Sequence, residues 1–227
     1  MTKKIPTRRN GYYYKEINGI WQLDDPYVSV TKVLGDVLSK PALIYWTGKR
    51  CSDIALRDPN LNTDEVMAQL KMEQKESQER GRAVHSVAEI LAGGGSYIPI
   101  EKYSGYCEAL NKWWIINKPE SIKSELEVFN DRIKMAGRLD FLCVIKGYKC
   151  LVDFKTNVKG EIYKESGLQL AFYGDTLKEN NIIDVDRKIV VCCSLTGEIT
   201  EKDTNDQIWE VENILEVWKW LKKKGGF

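Results

Sequence analysis

Between Tyr12 and Leu23 an aromatic run is followed by Asn18-Gly19 and then by Ile20-Trp21-Gln22-Leu23, the pattern of a hairpin with a tight turn. Apolar positions then recur at helical spacing. Ser29 or Thr31 can cap a helix carrying Val33, Leu34, Val37 and Leu38 that stops before Pro41. Pro41 itself suits the first turn of a second helix carrying Leu43, Ile44 and Trp46. Asn62-Thr63-Asp64 opens a long helical stretch, with Gly81 as the expected break or kink before Ala83 to Leu91, and Gly93-Gly94-Gly95 closes it. A further amphipathic helix runs from about Ser104 to Asn117.

From Ser121 the period shortens. Ile122, Leu126 and Val128 alternate with Lys123, Glu125 and Glu127, as in a strand with two unlike faces. Leu139 to Ile145 and Tyr148 to Thr156 read as strands joined at Lys146-Gly147, and Ser166 to Lys178 as a helix. Lys188 to Leu195 is an apolar strand ended by a turn at Thr196-Gly197, and Thr204 to Lys224 is a C-terminal amphipathic helix. The pattern predicts an α/β fold, a central mixed sheet flanked by helices and preceded by a largely helical half. One domain is expected over 1–227, with a hairpin and mainly helical part at 1–118 and the sheet core at 119–227.

Composition narrows the class. Hydrophobic residues make up 43% and charged residues 30%, which fits a globular chain and excludes wholesale disorder. No apolar run approaches the roughly 18 residues that span a bilayer, and no apolar stretch follows the basic MTKKIPTRRN segment, so neither a membrane partner nor a secretory signal is expected. With 34 Lys+Arg against 33 Asp+Glu the formal net charge is +1. That excludes a polycation coating nucleic acid by bulk charge but leaves room for a local basic cleft. Six cysteines without a C-x-x-C pair read as reduced thiols of a cytoplasmic protein.

Candidate chemistry begins at Asp153-Phe154-Lys155. On a strand, Asp153 and Lys155 share one face and Phe154 takes the other; such a pair is either a site or a solvated ion pair. A two-residue turn at Lys146-Gly147 pairs Ile145 with Tyr148 and, counted outward, Asp140 with Asp153, with Cβ atoms about 4.5–5.5 Å apart. Leu139, Phe141, Leu142, Leu151, Val152 and Phe154 surround them, so two opposed carboxylates there lose hydration and repel. A hard divalent cation between them resolves the conflict, whereas a register slip would separate them. His85, the only histidine, shares a helix face with Glu89 at i,i+4, as a ligand with its neighbour or as a surface pair. Glu127 on the adjacent strand is a ligand, an orienting acid or a solvated charge, and Gln169 and Tyr173 form another i,i+4 polar pair.

In order, Gly81-Arg82-x-x-His85, Gly137-Arg138-Leu139-Asp140, Asp153-Phe154-Lys155-Thr156 and Gln169-x-x-x-Tyr173 resemble the motifs of the PD-(D/E)XK nucleases of the RecB-like group. Ser29-Val30-Thr31-Lys32-Val33-Leu34 and the His85–Glu89 spacing are most similar to the branch holding the mitochondrial genome maintenance exonuclease and phage exonucleases. The resemblance covers about residues 29 to 174. It implies a restriction-endonuclease-like core, and assigns His85, Asp140, Asp153 and the Phe154 carbonyl to Mg²⁺ or Mn²⁺. It makes Lys155 the catalytic lysine, keeps Glu127 among the catalytic acids, and places Glu89 behind His85. Gln169 and Tyr173 contact substrate or support the site, and Arg82, Arg138 and Thr156 fall on the substrate side. Some relatives carry an iron–sulfur cluster on four cysteines; only Cys192 and Cys193 follow the core here, and no cluster is expected.

The expected activity is metal-dependent hydrolysis of DNA, from free single-stranded ends, in replication, recombination or repair, in a cell or in the host cytoplasm of a phage. The alternatives are an endonucleolytic or structure-specific nuclease of the same fold, and a non-catalytic nucleic-acid-binding module. Lys49, Arg50, Arg80, Arg82, Arg138, Lys159 and Lys164 are candidates to line a groove, and Trp46 or Tyr163 to stack on a base. Core packing is the simpler reading of Trp46. The helical stretch from 63 to 91 is a candidate cap over the site.

Overall fold

The computed structural model describes residues 8–38 and 41–225. Its helices begin where cap chemistry allows. Ser29 has extended backbone and its hydroxyl accepts from Lys32 N at 3.4 Å, starting α1 (Val30–Val37). After α2 (Pro41–Arg57), Asn62 and Glu65 form a reciprocal capping box at the start of α3 (Thr63–Ala92). The remaining helices are α4 (Ser104–Asn117), α5 (Lys164–Glu179) and α6 (Ile208–Lys223).

Contrary to the expected break, α3 runs unbroken through Gly81. One interior glycine costs only about 1 kcal/mol, and buried Val84, Val87 and Ala88 just beyond it anchor the helix to the core. The N-terminal hairpin is also shorter than expected. Only β3 (Glu16–Ile17) and β4 (Ile20–Trp21) pair around Asn18 (φ 51°) and Gly19 (φ 80°), the left-handed pair that a two-residue turn requires. Tyr12 and Tyr13 form β2, which pairs instead with β1 (Arg8–Arg9) and with β5 (Tyr27–Ser29). Trp46 is 41% exposed rather than packed in the core, and Tyr163 is exposed as well.

The large sheet is mixed, in the order β1-β2-β5-β7-β8-β9-β10, with β6 also on β7. Its central strands are β6 (Glu120–Asn130), β7 (Met135–Ile145), β8 (Tyr148–Thr156) and β9 (Arg187–Cys193). β10 (Ile199–Asp203) pairs with β9 just before the position where the last helix was expected, and that helix starts four residues later, at Ile208. β5–β7 and β8–β9 are parallel; the other pairs are antiparallel. One face packs Leu142, Leu151 and Val190 against Leu170 and Phe172 of α5 and Leu215 of α6. The other packs Phe141, Val152, Phe154 and Val191 against Val84 and Val87 of α3 and Leu110 and Trp113 of α4. α2 packs on α3 through a small cluster of Ile54, Val66 and Leu70.

The geometry of β7 positions everything that follows. β6 occupies one of its edges along almost its whole length, so β5 and β8 share the other. β5 pairs at Met135-Ala136 and β8 from Phe141 to Ile145, so Gly137 to Asp140 lie in the fork between them. Leu139 and Leu142 join the same hydrophobic cluster although strict alternation would put residues three apart on opposite faces. The strand therefore turns over locally at Asp140. Among the described residues no helix is long and apolar enough to cross a membrane, and the six cysteines are free thiols.

Candidate active site

The two-residue turn at Lys146 (φ 51°) and Gly147 (φ 84°) sets the register that the sequence implies, with Ile145 opposite Tyr148 and Phe141 opposite Val152. The ladder ends there, one residue before Asp140 and Asp153 would meet. Asp140 instead crosses the gap with its side chain, Oδ2 accepting from Phe154 N at 2.8 Å. Phe154 thus meets the site through its N–H, while its ring is wedged between Trp113 and Phe141.

On its other side Asp140 faces a histidine and a second acid. His85 Nδ1 lies 3.6 Å from Asp140 Oδ1 and 3.6 Å from Glu125 Oε1. One ligand atom each from His85, Glu125 and Asp140 falls within 4.8 Å of the others. Glu125 sits on β6 between the pairs Ser124–Phe141 and Leu126–Leu139, alongside Asp140, with φ at 50°. Left-handed backbone in a strand is strained for a residue with a Cβ, and here it occurs at a residue whose carboxylate joins the cluster.

Sequence reasoning chose Glu127 and missed Glu125, two positions away on the same polar face. Glu127 lies opposite Arg138 on β7 and accepts from its Nη2 at 2.8 Å; Arg138 Nη1 lies 3.6 Å from Glu125 Oε2. The signal that could have found Glu125 was a register count from β6 to Asp140. From Asn130–Met135 that register runs unshifted past Glu125 as far as Lys123, and the irregularity comes only beyond it.

Asp153, 1% exposed, engages Lys155. Lys155 Nζ donates to Asp153 Oδ1 at 2.8 Å and lies 2.6 Å from Oδ2, which has no aligned hydrogen bond among the described residues. Nζ also donates to Gln169 Oε1 at 3.4 Å, and Gln169 Nε2 donates to Tyr173 OH at 3.0 Å. Tyr173 is buried over the fork, where a Cβ on Gly137 would come within 2.5 Å of its ring. It supports the lysine from behind rather than facing an open groove. Thr156 Oγ1 accepts from Arg80 Nε at 3.4 Å. Arg82 and Glu89 are exposed on α3, and the His85 cluster forms without either.

Electrostatics set this cluster apart. Burial, then the neighbouring Asp153 charge, push Asp140 up to about 7 against His85 and Lys155. Burial by itself would lower His85, but the Asp140 charge and the bond to Glu125 outweigh it and raise the imidazole to about 9. The bond to His85 holds Glu125 below its usual range in spite of burial. Burial works against the Lys155 cation too, and the charges of Asp153 and Asp140 overcome it, so the ammonium keeps its proton. One imidazole and two carboxylates, those of Glu125 and Asp140, around one gap, with the ion-paired Asp153 carboxylate close enough to act on Asp140, form an oxygen-rich donor set suited to a hard divalent cation. The residues fit such an ion.

No family model matches the chain, and no curated protein matches it. Solved structures similar to it include SSO0001, at 20% identity over 49% of this chain and 55% of that one, with a TM-score of 0.35. A putative exonuclease from Eubacterium rectale is 12% identical over 65% of each chain, with a TM-score of 0.43. LHK-Exo, solved in complex with dAMP, is 12% identical over 88% of this chain and 93% of its own, with a TM-score of 0.39. The chain thus spans 55% and 65% of the length of the first two.

Proposed function

We propose that the chain is a metal-dependent DNA exonuclease of the PD-(D/E)XK type, acting on free single-stranded ends. The observation that carries this reading is the meeting of His85, Glu125 and Asp140 within 4.8 Å, beside a buried Asp153–Lys155 pair. His85, Glu125 and Asp140 would hold the ion, with the Asp153 carboxylate, ion-paired to Lys155, as their nearby acidic neighbour. A bound Mg²⁺ or Mn²⁺ supplies Lewis-acid polarisation of a phosphoryl oxygen and a water of lowered pKa.

The protein's own groups do the rest. Lys155, kept charged by Asp153 and steadied by Gln169, presents Nζ–H to the attacking water and to the charge that develops on the phosphorus-bound oxygens. Tyr173, behind Gln169, keeps that amide oriented. Asp140 ties β7 to β8 through Phe154 N, so that its Oδ1 stays aimed at His85. The choice of single-stranded ends rests on the resemblance and on α2 and α3 standing as a helical pair beside the sheet. The experiment is a time course on end-labelled single- and double-stranded DNA with Mg²⁺, Mn²⁺ or EDTA. Release of nucleotides from an end, abolished by EDTA, is the expected result; metal-independent or absent cleavage would refute the proposal.

A further inference from the structure

Three of the seven basic residues that the sequence offers for a strand-binding groove are already ion-paired. Arg50 donates to Glu73 through Nε at 2.7 Å and Nη2 at 2.6 Å. Arg138 is held by Glu127 and Glu125, and Lys159 lies 3.9 Å from Glu161. Three arginines are half-buried among the described residues, and two of them, Arg50 and Arg187, are ion-paired.

Arg80 is the third. Its guanidinium carbon lies 4.8 Å from the ring centroid of Tyr106, itself only 3% exposed. Nε donates to Thr156 Oγ1 at 3.4 Å and Nη2 to Ser77 Oγ at 2.8 Å. Both partners are neutral, and among the described residues no carboxylate pairs with Arg80. Removing a cation partly from water without a counter-charge costs stability. Stacking on an aromatic face recovers only a part of that cost at a partly exposed site. The placement, however, adjoins the site. Thr156 directly follows Lys155, and the charges of Lys155 and Arg80 both act on Cys192, whose thiol burial otherwise raises. Two cations thus flank the end of β8, one tied to Asp153 and one waiting for an anion. A guanidinium whose Nη1 makes no hydrogen bond among the described residues, and whose plane is fixed by an aromatic ring, is preorganised to donate to a phosphodiester oxygen.

We propose that Arg80 grips a backbone phosphate of the nucleic-acid strand, next to the phosphate lying at the His85–Glu125–Asp140 cluster. Tyr106 and Thr156 hold the guanidinium ready for it. This rests on the nuclease reading and adds to it a second anchoring point, which sets how the strand is aligned for cleavage.

The test is fluorescence anisotropy of a dye-labelled single-stranded oligodeoxynucleotide, in EDTA to prevent cleavage, over a salt series. Wild type, Arg80→Ala, Arg80→Gln and Arg80→Lys are compared, with melting temperatures recorded for each. Arg80→Ala is expected to weaken binding about tenfold and to flatten the plot of log affinity against log salt by about 0.7, the share of one phosphate on a single strand. Arg80→Lys should keep the slope and recover part of the affinity, because it retains charge without the planar fork. An unchanged slope in Arg80→Ala overturns the inference. If Arg80→Ala fails to fold, a single methylphosphonate is walked along the oligonucleotide with wild type and Arg80→Gln. One linkage that penalises only wild type supports the contact; equal penalties at every linkage overturn it. A wild type that binds and cleaves DNA while Arg80→Ala matches its slope refutes only this contact. A wild type that binds no oligonucleotide refutes the nuclease reading and this contact with it.

Discussion

Replacing Glu125 by glutamine separates its two influences on the cluster, as a ligand and as a neighbour of His85. In the wild type an arriving cation needs His85 unprotonated, and the imidazole is held up to about 9. At pH 7 only on the order of one molecule in a hundred then carries a free Nδ1, so apparent affinity should rise about tenfold per pH unit up to pH 9. Below pH 7 the slope steepens, because Asp140, pushed up to about 7, must lose its proton as well. Glu125→Gln removes an anion that lies 3.6 Å from Nδ1. The loss of a donor should weaken binding at pH 9 by at least the 10–100-fold typical when a partner that orients a metal ligand is lost. Yet without the Glu125 bond His85 releases its proton more readily, so the variant should reach its plateau at a lower pH than wild type. The deficit is therefore largest at pH 9 and smaller at pH 7. Calorimetric titration with Mn²⁺ at several pH values, repeated in two buffers of different ionisation enthalpy, reads affinity and proton release together. Equal affinity of wild type and variant at pH 9, or no pH dependence between 7 and 9, would refute the assignment of Glu125 and His85 to the ion.

Three further outcomes are expected. Lys155→Ala should lower cleavage by on the order of 10²–10³ or more while leaving oligonucleotide affinity nearly intact, since its contribution is to the transition state; a parallel loss of binding in an anisotropy assay would make it a phosphate-positioning residue. Gly137→Ala places a Cβ 2.5 Å from Tyr173 Cε1 and 2.8 Å from its hydroxyl. Overpacking of this kind costs about 1–3 kcal/mol, readable as a lower urea midpoint, together with slower cleavage as Gln169 loses its support; an unchanged midpoint would show that the ring moves aside freely. Linear single-stranded DNA should be degraded and circular single-stranded DNA spared at equal salt and metal, and comparable loss of both on a gel would end the requirement for a free end.

Much of this molecule is local in origin and legible in the chain itself. Asn62 and Glu65 start α3, Lys146-Gly147 sets the β7–β8 turn, and β8 begins and ends where its apolar pattern does, at Tyr148 and Thr156. Each depends on residues a few positions apart, and steric and hydrogen-bonding preferences act over that range. The pairing of Asp153 with Lys155 on one strand face has the same origin. The tertiary structure alone decided what those residues meet. The sequence carries no mark that β5 and β8 divide one edge of β7, because that depends on which distant strands compete for it. That fork stops the ladder short of Asp140, turns its carboxylate to Phe154 N and His85, and leaves Asp153 to Lys155. Glu125 reached the cluster through one left-handed residue in an otherwise ordinary strand, a backbone choice that no side-chain pattern announces. β10 was illegible for a related reason: four of its five residues are exposed, and only its partner β9 makes it a strand. Capping and turn chemistry are written in neighbouring residues, whereas the competition of strands for an edge is settled only when the whole sheet assembles.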